Sequence, residues 1–259
     1  MKIGICAEYE KINLVKEIGF DYLEGSVSRA ATMNKEEFAQ LEEKVKQSGI
    51  ECEVCNLFFP PILKVTGPDV DIKKIDEYLK IAFERLSMLG TKCVVVGSGN
   101  SRRVPEGWSK DEGIKQFAEV MKMIGDEGEK YGIVATVEHL PSSSCNIINS
   151  VKESWELLKV INHPNVKMMV DYGHMKTMKE SLDSIVEAGN EIIHLHIRNS
   201  KNGKFPLKVD EDNYQELFNK LKQIGYKGRI SIEASTSNFS EDAAVSLKVL
   251  RQLVSSIKE

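Results

Sequence analysis

Six times along the chain an amphipathic stretch ends in a glycine and an apolar, strand-like run begins soon after, a punctuation that few folds accommodate. The pairs are Gly19 before Tyr22–Glu24, Gly49 before Cys52–Cys55, Gly90 before Cys93–Val96, Gly132 before Ile133–Glu138, Gly189 before Ile192–Ile197 and Gly225 before Ile230–Glu233. Glycine just past a helix end takes the left-handed backbone that stops it. Adding Lys2–Ala7, and Lys167–Asp171 after the turn Asn162–Pro164, gives eight strands, each followed by a helical pattern. Single apolar stripes mark the helices: Ile75, Leu79, Ala82, Leu86 and Leu89; Ile114, Phe117, Met121 and Ile124; Tyr214, Leu217, Leu221 and Ile224. Strict alternation predicts parallel strands, and eight such units predict closure into a (β/α)8 TIM barrel rather than an open sheet. The length of 259 residues suits one barrel, and no linker divides it, so residues 1–259 are expected to form a single domain.

Strand ends carry the chemistry. Glu138, Asp171, His196 and Glu233 close four consecutive strands at intervals of 33, 25 and 37 residues, each about one strand-plus-helix unit. Side chains alternate along a strand, so Thr136 and Glu138 point into the barrel, as do Met169 and Asp171, then His194, His196 and Arg198, then Ser231 and Glu233. Ile193, Leu195, Ile197, Ile230 and Ile232 are expected to face the helices. The longer polar segments, Asn56–Asp71, Gly97–Glu112, His139–Asn149 and Arg198–Asp210, follow the third, fourth, fifth and seventh strands and mark the face where barrel active sites form. Three carboxylates brought together resist joint ionisation. A divalent cation removes that conflict; oxygen ligands with one imidazole suit Mn²⁺ first, with Mg²⁺, Co²⁺ or Zn²⁺ as alternatives.

Composition narrows the function classes. A net charge of −4 and a pI near 5.9 give no support for a broad nucleic-acid surface. With no export signal at the amino end and no run of apolar residues of membrane length, no membrane partner is expected and the location reads as cytoplasmic. Five cysteines suit free thiols; Cys52 and Cys55 have redox or zinc spacing, but a strand through both would turn them to opposite sides.

Val137-Glu138, Val170-Asp-Tyr-Gly-His174, His194-Leu-His196 and Gly225-Tyr-Lys-Gly-Arg-Ile-Ser-Ile-Glu233 resemble the sugar phosphate isomerase/epimerase family of xylose-isomerase-like barrels over essentially the whole chain. The resemblance implies metal ligation by Glu138, Asp171, His196 and Glu233, with Glu138 and Glu233 as the acid/base pair and His174 contacting the sugar. It implies a small-molecule sugar or sugar phosphate as substrate, and isomerisation or epimerisation by proton transfer through a metal-stabilised enediolate. A homo-oligomer is compatible with it. Where ketose 3-epimerases place an arginine six residues after the metal-binding histidine, this chain has Asn202, leaving Arg198, Lys201 and Lys204 nearby.

Several residues have two readings. Arg198 is a candidate substrate contact; Glu24 is either another or an ion-pair partner inside the barrel; His194 is read as a core residue beneath the metal. His139 and His163 read as structural, and Phe58, Phe59 and Trp108 as shields over a sugar or simple packing. Gly97-Ser-Gly-Asn-Ser-Arg102-Arg103 is a candidate phosphate cradle. The competing functions are a polyol-ketone dehydratase on the same site, an abasic-site endonuclease, and a noncatalytic sugar-binding protein. The endonucleases carry further metal ligands, where this chain has Asn56, Gly97 and Phe205-Pro-Leu-Lys-Val-Asp210.

Overall fold

The computed structural model describes residues 1–256 and contains eight parallel strands in one closed ring. These are β1 (Lys2–Cys6), β2 (Tyr22–Ser26), β3 (Val54–Asn56), β4 (Cys93–Val96), β5 (Val134–Val137), β6 (Val166–Asp171), β7 (Ile192–Ile197) and β8 (Arg229–Ile232). Each pairs with its sequence neighbour, and β8 closes on β1. Helices stand between consecutive strands, the longest being Lys110–Tyr131, capped by the Ser109 side chain at one end and by left-handed Gly132 at the other. All six punctuating glycines have positive φ, and Gly19, Gly49 and Gly132 are left-handed helix caps; Gly189, at φ 55° and ψ −127°, is not one, and opens a 3-10 turn instead.

Two apolar layers result. Outward-facing Leu195, Ile197, Ile230 and Ile232 pack among the helices in the main core, while Tyr22, Val54, Cys93, Val95 and Met169 fill the barrel itself. Tyr22 lies across Gly4, where a Cβ would sit 2.2 Å from its ring, and its hydroxyl is 2.8 Å from the Ser231 hydroxyl. Below, Glu53 joins Lys2 and Arg229 across the strand starts.

Two expectations are corrected. The third strand starts only at Val54, so alternation does not run through Cys52; Cys52 and Cys55 both lie in the helix-facing core as free thiols. Ile193, expected outward, packs against the barrel interior because the β6–β7 pairing steps from Met168↔Ile192 to Met169↔His194, leaving Ile193 as the extra residue of a bulge. The same step sets Asp171 opposite His196. Among the described residues no helix is long and apolar enough to cross a membrane.

Candidate metal centre and active site

Asp171 ends β6 and caps the short helix Tyr172–Thr177: its Oδ1 accepts the His174 backbone N–H at 2.7 Å. That bond fixes the carboxyl and leaves Oδ2 buried with no hydrogen-bond partner. The Asp171 backbone N–H donates to His139 Nε2 at 3.2 Å, so His139, which burial keeps neutral, braces the end of β6. Burial, followed by the Glu233 charge and opposed by His174, raises the Asp171 carboxyl above its ordinary range.

His196 is wholly buried, with Nε2 2.7 Å from Glu24 Oε1; the other Glu24 oxygen lies 2.9 Å from His194 Nε2. A carboxylate only accepts, so both Nε2 atoms carry protons and donate. Of the two roles open to Glu24, the geometry is that of the ion pair inside the barrel, since both of its oxygens face histidines and it is 1% exposed. His196 Nδ1 then faces the opposite way, buried without a hydrogen-bond partner, 3.1 Å from Glu233 Oε2 and 3.8 Å from Glu138 Oε1. Burial works against both charges, yet the two imidazoles hold Glu24 well below its usual range, and Glu24 and Glu233 push His196 well above its own. Carboxylate-fixed imidazole is the usual support for a metal-binding histidine. Replacing Glu24→Gln is therefore expected to weaken Mn²⁺ affinity about 10- to 100-fold, measured by titration calorimetry, with the Glu24→Asp protein falling between.

Glu138 follows β5, level with Gly97 after β4. Its carboxylate occupies the space a side chain at 97 would fill: a Cβ there would lie 1.6 Å from Oε2. The Glu138 carbonyl accepts from Arg102 Nη1 at 2.8 Å. Arg102 is 1% exposed and Arg103 donates to the Ser143 carbonyl, so the Gly97–Arg103 segment braces Glu138 rather than presenting arginines to a phosphate. Glu233 follows β8, is reached by Asn56 Nδ2 at 3.3 Å, and keeps about 30% of its side chain exposed. Against the cost of burial, His196 draws the Glu233 carboxyl down.

Glu138, Asp171, His196 and Glu233 thus each offer a donor atom within 4.8 Å of the others. The Asp171 and His196 donors, orphaned though buried, fit a divalent cation, because buried polar atoms ordinarily have partners. His174 donates Nδ1–H to the His139 carbonyl at 3.0 Å and stands 3.6 Å from both Glu138 and Asp171. With Arg198, Glu138, Glu233 and Asn56 it lines the cleft above the cluster. Phe58 and Phe59 instead pack with Tyr78, Trp108 sits by Gly67 and Gln116 away from the cleft, and His163 pairs with Asp126 in its turn. Asn56, Gly97 and Arg102 carry support roles that no local pattern announces; the one legible sign was the end-of-strand placement of Asn56 and Gly97.

A family model described as xylose isomerase-like TIM barrel matches residues 12–253. An uncharacterized protein of Methanocaldococcus jannaschii is 30% identical over 196 residues, covering 71% of this chain and 63% of that one. The 2-oxo-tetronate isomerase of Haemophilus influenzae is 29% identical over 133 residues, covering 50% and 51%. The chain spans less than two thirds of the length of these relatives. Among solved structures, a D-psicose 3-epimerase crystallised in the presence of D-fructose superposes with a TM-score of 0.86 over 98% of this chain and 99% of that one, a likeness of fold at 19% identity. With its closed eight-strand ring and a match running through residues 12–253, the chain belongs to the xylose isomerase-like TIM barrel family.

Proposed function

We propose that this protein is a divalent-metal-dependent isomerase or epimerase of a small carbohydrate. The observation that carries the reading is the convergence of two glutamates, Glu138 and Glu233, with Asp171 and His196, two of the four donor atoms being buried and unpartnered. Glu138, Asp171, His196 and Glu233 would hold the ion, Mn²⁺ suiting this donor set best, and when bound it would polarise a substrate carbonyl and offset the negative charge that develops on it. The names of the similar isomerase and epimerase support the same class.

The side chains divide the remaining work. Glu138 and Glu233 reach the cleft from strands that are not neighbours in the ring, so they approach a bound sugar from different directions. One takes the proton from the carbon beside the carbonyl and the other returns a proton to the opposite face, which inverts the centre. If one glutamate carries the proton between adjacent carbons, the product is an aldose–ketose isomer. His174, fixed by its Nδ1–H bond to the His139 carbonyl, orients substrate hydroxyls, and Arg198 closes the same side of the cleft. The test is a panel of ketoses and aldoses incubated in D₂O with the Mn²⁺-loaded protein and followed by NMR. Deuterium should enter at the carbon beside the carbonyl in at least one sugar; no incorporation in any, with metal bound, would remove the proposal.

A further inference from the structure

Of the chain's seven arginines, six are engaged. Arg29 pairs with Glu8 and Glu10 and Arg229 with Glu53, while Arg85, Arg102, Arg103 and Arg251 donate to backbone carbonyls. Arg198, half-buried and lining the same cleft as Glu138, His174 and Glu233, has no hydrogen-bond or ion-pair partner among the described residues. A guanidinium is a planar fork of five donors that is never uncharged, and its natural complements are the paired oxygens of carboxylate and phosphate.

The place it occupies is built for it. Arg198 lies over Gly173, in the first turn after Asp171, where a Cβ would meet its Nε at 2.1 Å and its Cζ at 2.7 Å. Any other residue at 173 would force the guanidinium to shift from this position. Arg102 and Arg103, the other arginines of the strand-end loops, are turned to backbone carbonyls and do not line this cleft. The cleft, about 300 Å³, is sized for a short sugar held between the carboxylate cluster and Arg198, the one lysine or arginine among its described lining residues.

We propose that Arg198 makes the site selective for a carbohydrate carrying an anionic group, carboxylate or phosphate, bound by the guanidinium beside the metal cluster and not on it. The inference rests on the carbohydrate reading above and specifies its substrate class. The competing role, in which Arg198 only offsets the carboxylate charge of the cluster in place of an ion, predicts that Arg198→Gln raises Mn²⁺ affinity about tenfold or more, since a fixed cation beside the ligands repels a second one, and leaves the probe preference unchanged.

The experiment uses three unreactive five-carbon probes, ribitol, ribonate and ribitol 5-phosphate, titrated calorimetrically into Mn²⁺-loaded protein. At least one of the two anions should bind about 30-fold or more tightly than ribitol, and Arg198→Gln should cut that preference about tenfold or more. Arg198→Lys should recover part of it, keeping the charge without the fork. Mn²⁺ affinity measured on the same variants should stay within about twofold, since charge-assisted bonding to the probe is then the interaction lost. Whichever anion shows the preference names the group. Equal binding of all three probes, an anion preference that survives in Arg198→Gln and so belongs to the metal, or a change in Mn²⁺ affinity of about tenfold or more would each overturn the inference. Failure of the reaction reading looks different: no sugar exchanges its C–H in D₂O, yet ribonate or the phosphate ester still binds through Arg198.

Discussion

Glu138→Gln and Glu233→Gln, each loaded with Mn²⁺, are expected to lose solvent-deuterium incorporation by about 10³-fold or more while unfolding within a few degrees of the unaltered protein. Glutamine keeps the shape and one carbonyl oxygen of the carboxylate, so it can still occupy the cluster, but it cannot accept a proton from carbon. The loss therefore isolates proton transfer from packing. The two variants should also differ from each other. If the glutamates serve opposite faces of an epimerised carbon, the variant lacking the abstracting group for one epimer still exchanges the other epimer slowly. If a single glutamate does both steps, only one of the substitutions is severe. Undiminished exchange in both would take these residues out of the mechanism. Glu233 is the better placed to meet a substrate, since about 30% of its side chain is exposed against 8% for Glu138.

Gly97→Ala is the second large effect, and it comes from a residue that carries no chemistry. The added Cβ would fall 1.6 Å from Glu138 Oε2 and 2.8 Å from its Cδ, far inside contact distance. What it strikes is the tip of a flexible side chain, so Glu138 swings away and the barrel survives. Thermal stability should change by no more than about 1 kcal/mol, because alanine also restricts the unfolded chain. Mn²⁺ affinity should fall about 100-fold and exchange activity at least as far, as expected when a ligand is displaced by an ångström or more. Calorimetry, thermal unfolding and the D₂O assay on one preparation check all three. A variant that binds Mn²⁺ normally would show that the Glu138 carboxylate does not need the space beside residue 97.

The barrel and the convergence of Glu138, Asp171, His196 and Glu233 were legible in the sequence because both depend on simple periods. Alternation along a strand decides which of Glu138, Asp171, His196 and Glu233 points inward, and glycines past helix ends count the units. What could not be read was set by contacts between distant strands. That Glu24 bonds His194 and His196 depends on β2 and β7 facing one another across the barrel, 170 and 172 residues apart in sequence. The bulge that turns Ile193 inward is a property of the β6–β7 pairing and not of either segment. Arg102 looked like a phosphate ligand because glycine and arginine in a loop look alike whether they face water or brace a neighbour. Only its burial and its bond to the Glu138 carbonyl separate the two.

Tyr22, wedged over Gly4 and tied to Ser231, plugs the ring beneath the strand ends, so that it is a well and not a tube. A guest can leave only by the way it came, so each molecule must back out before the next descends, and entrance and exit compete for one threshold.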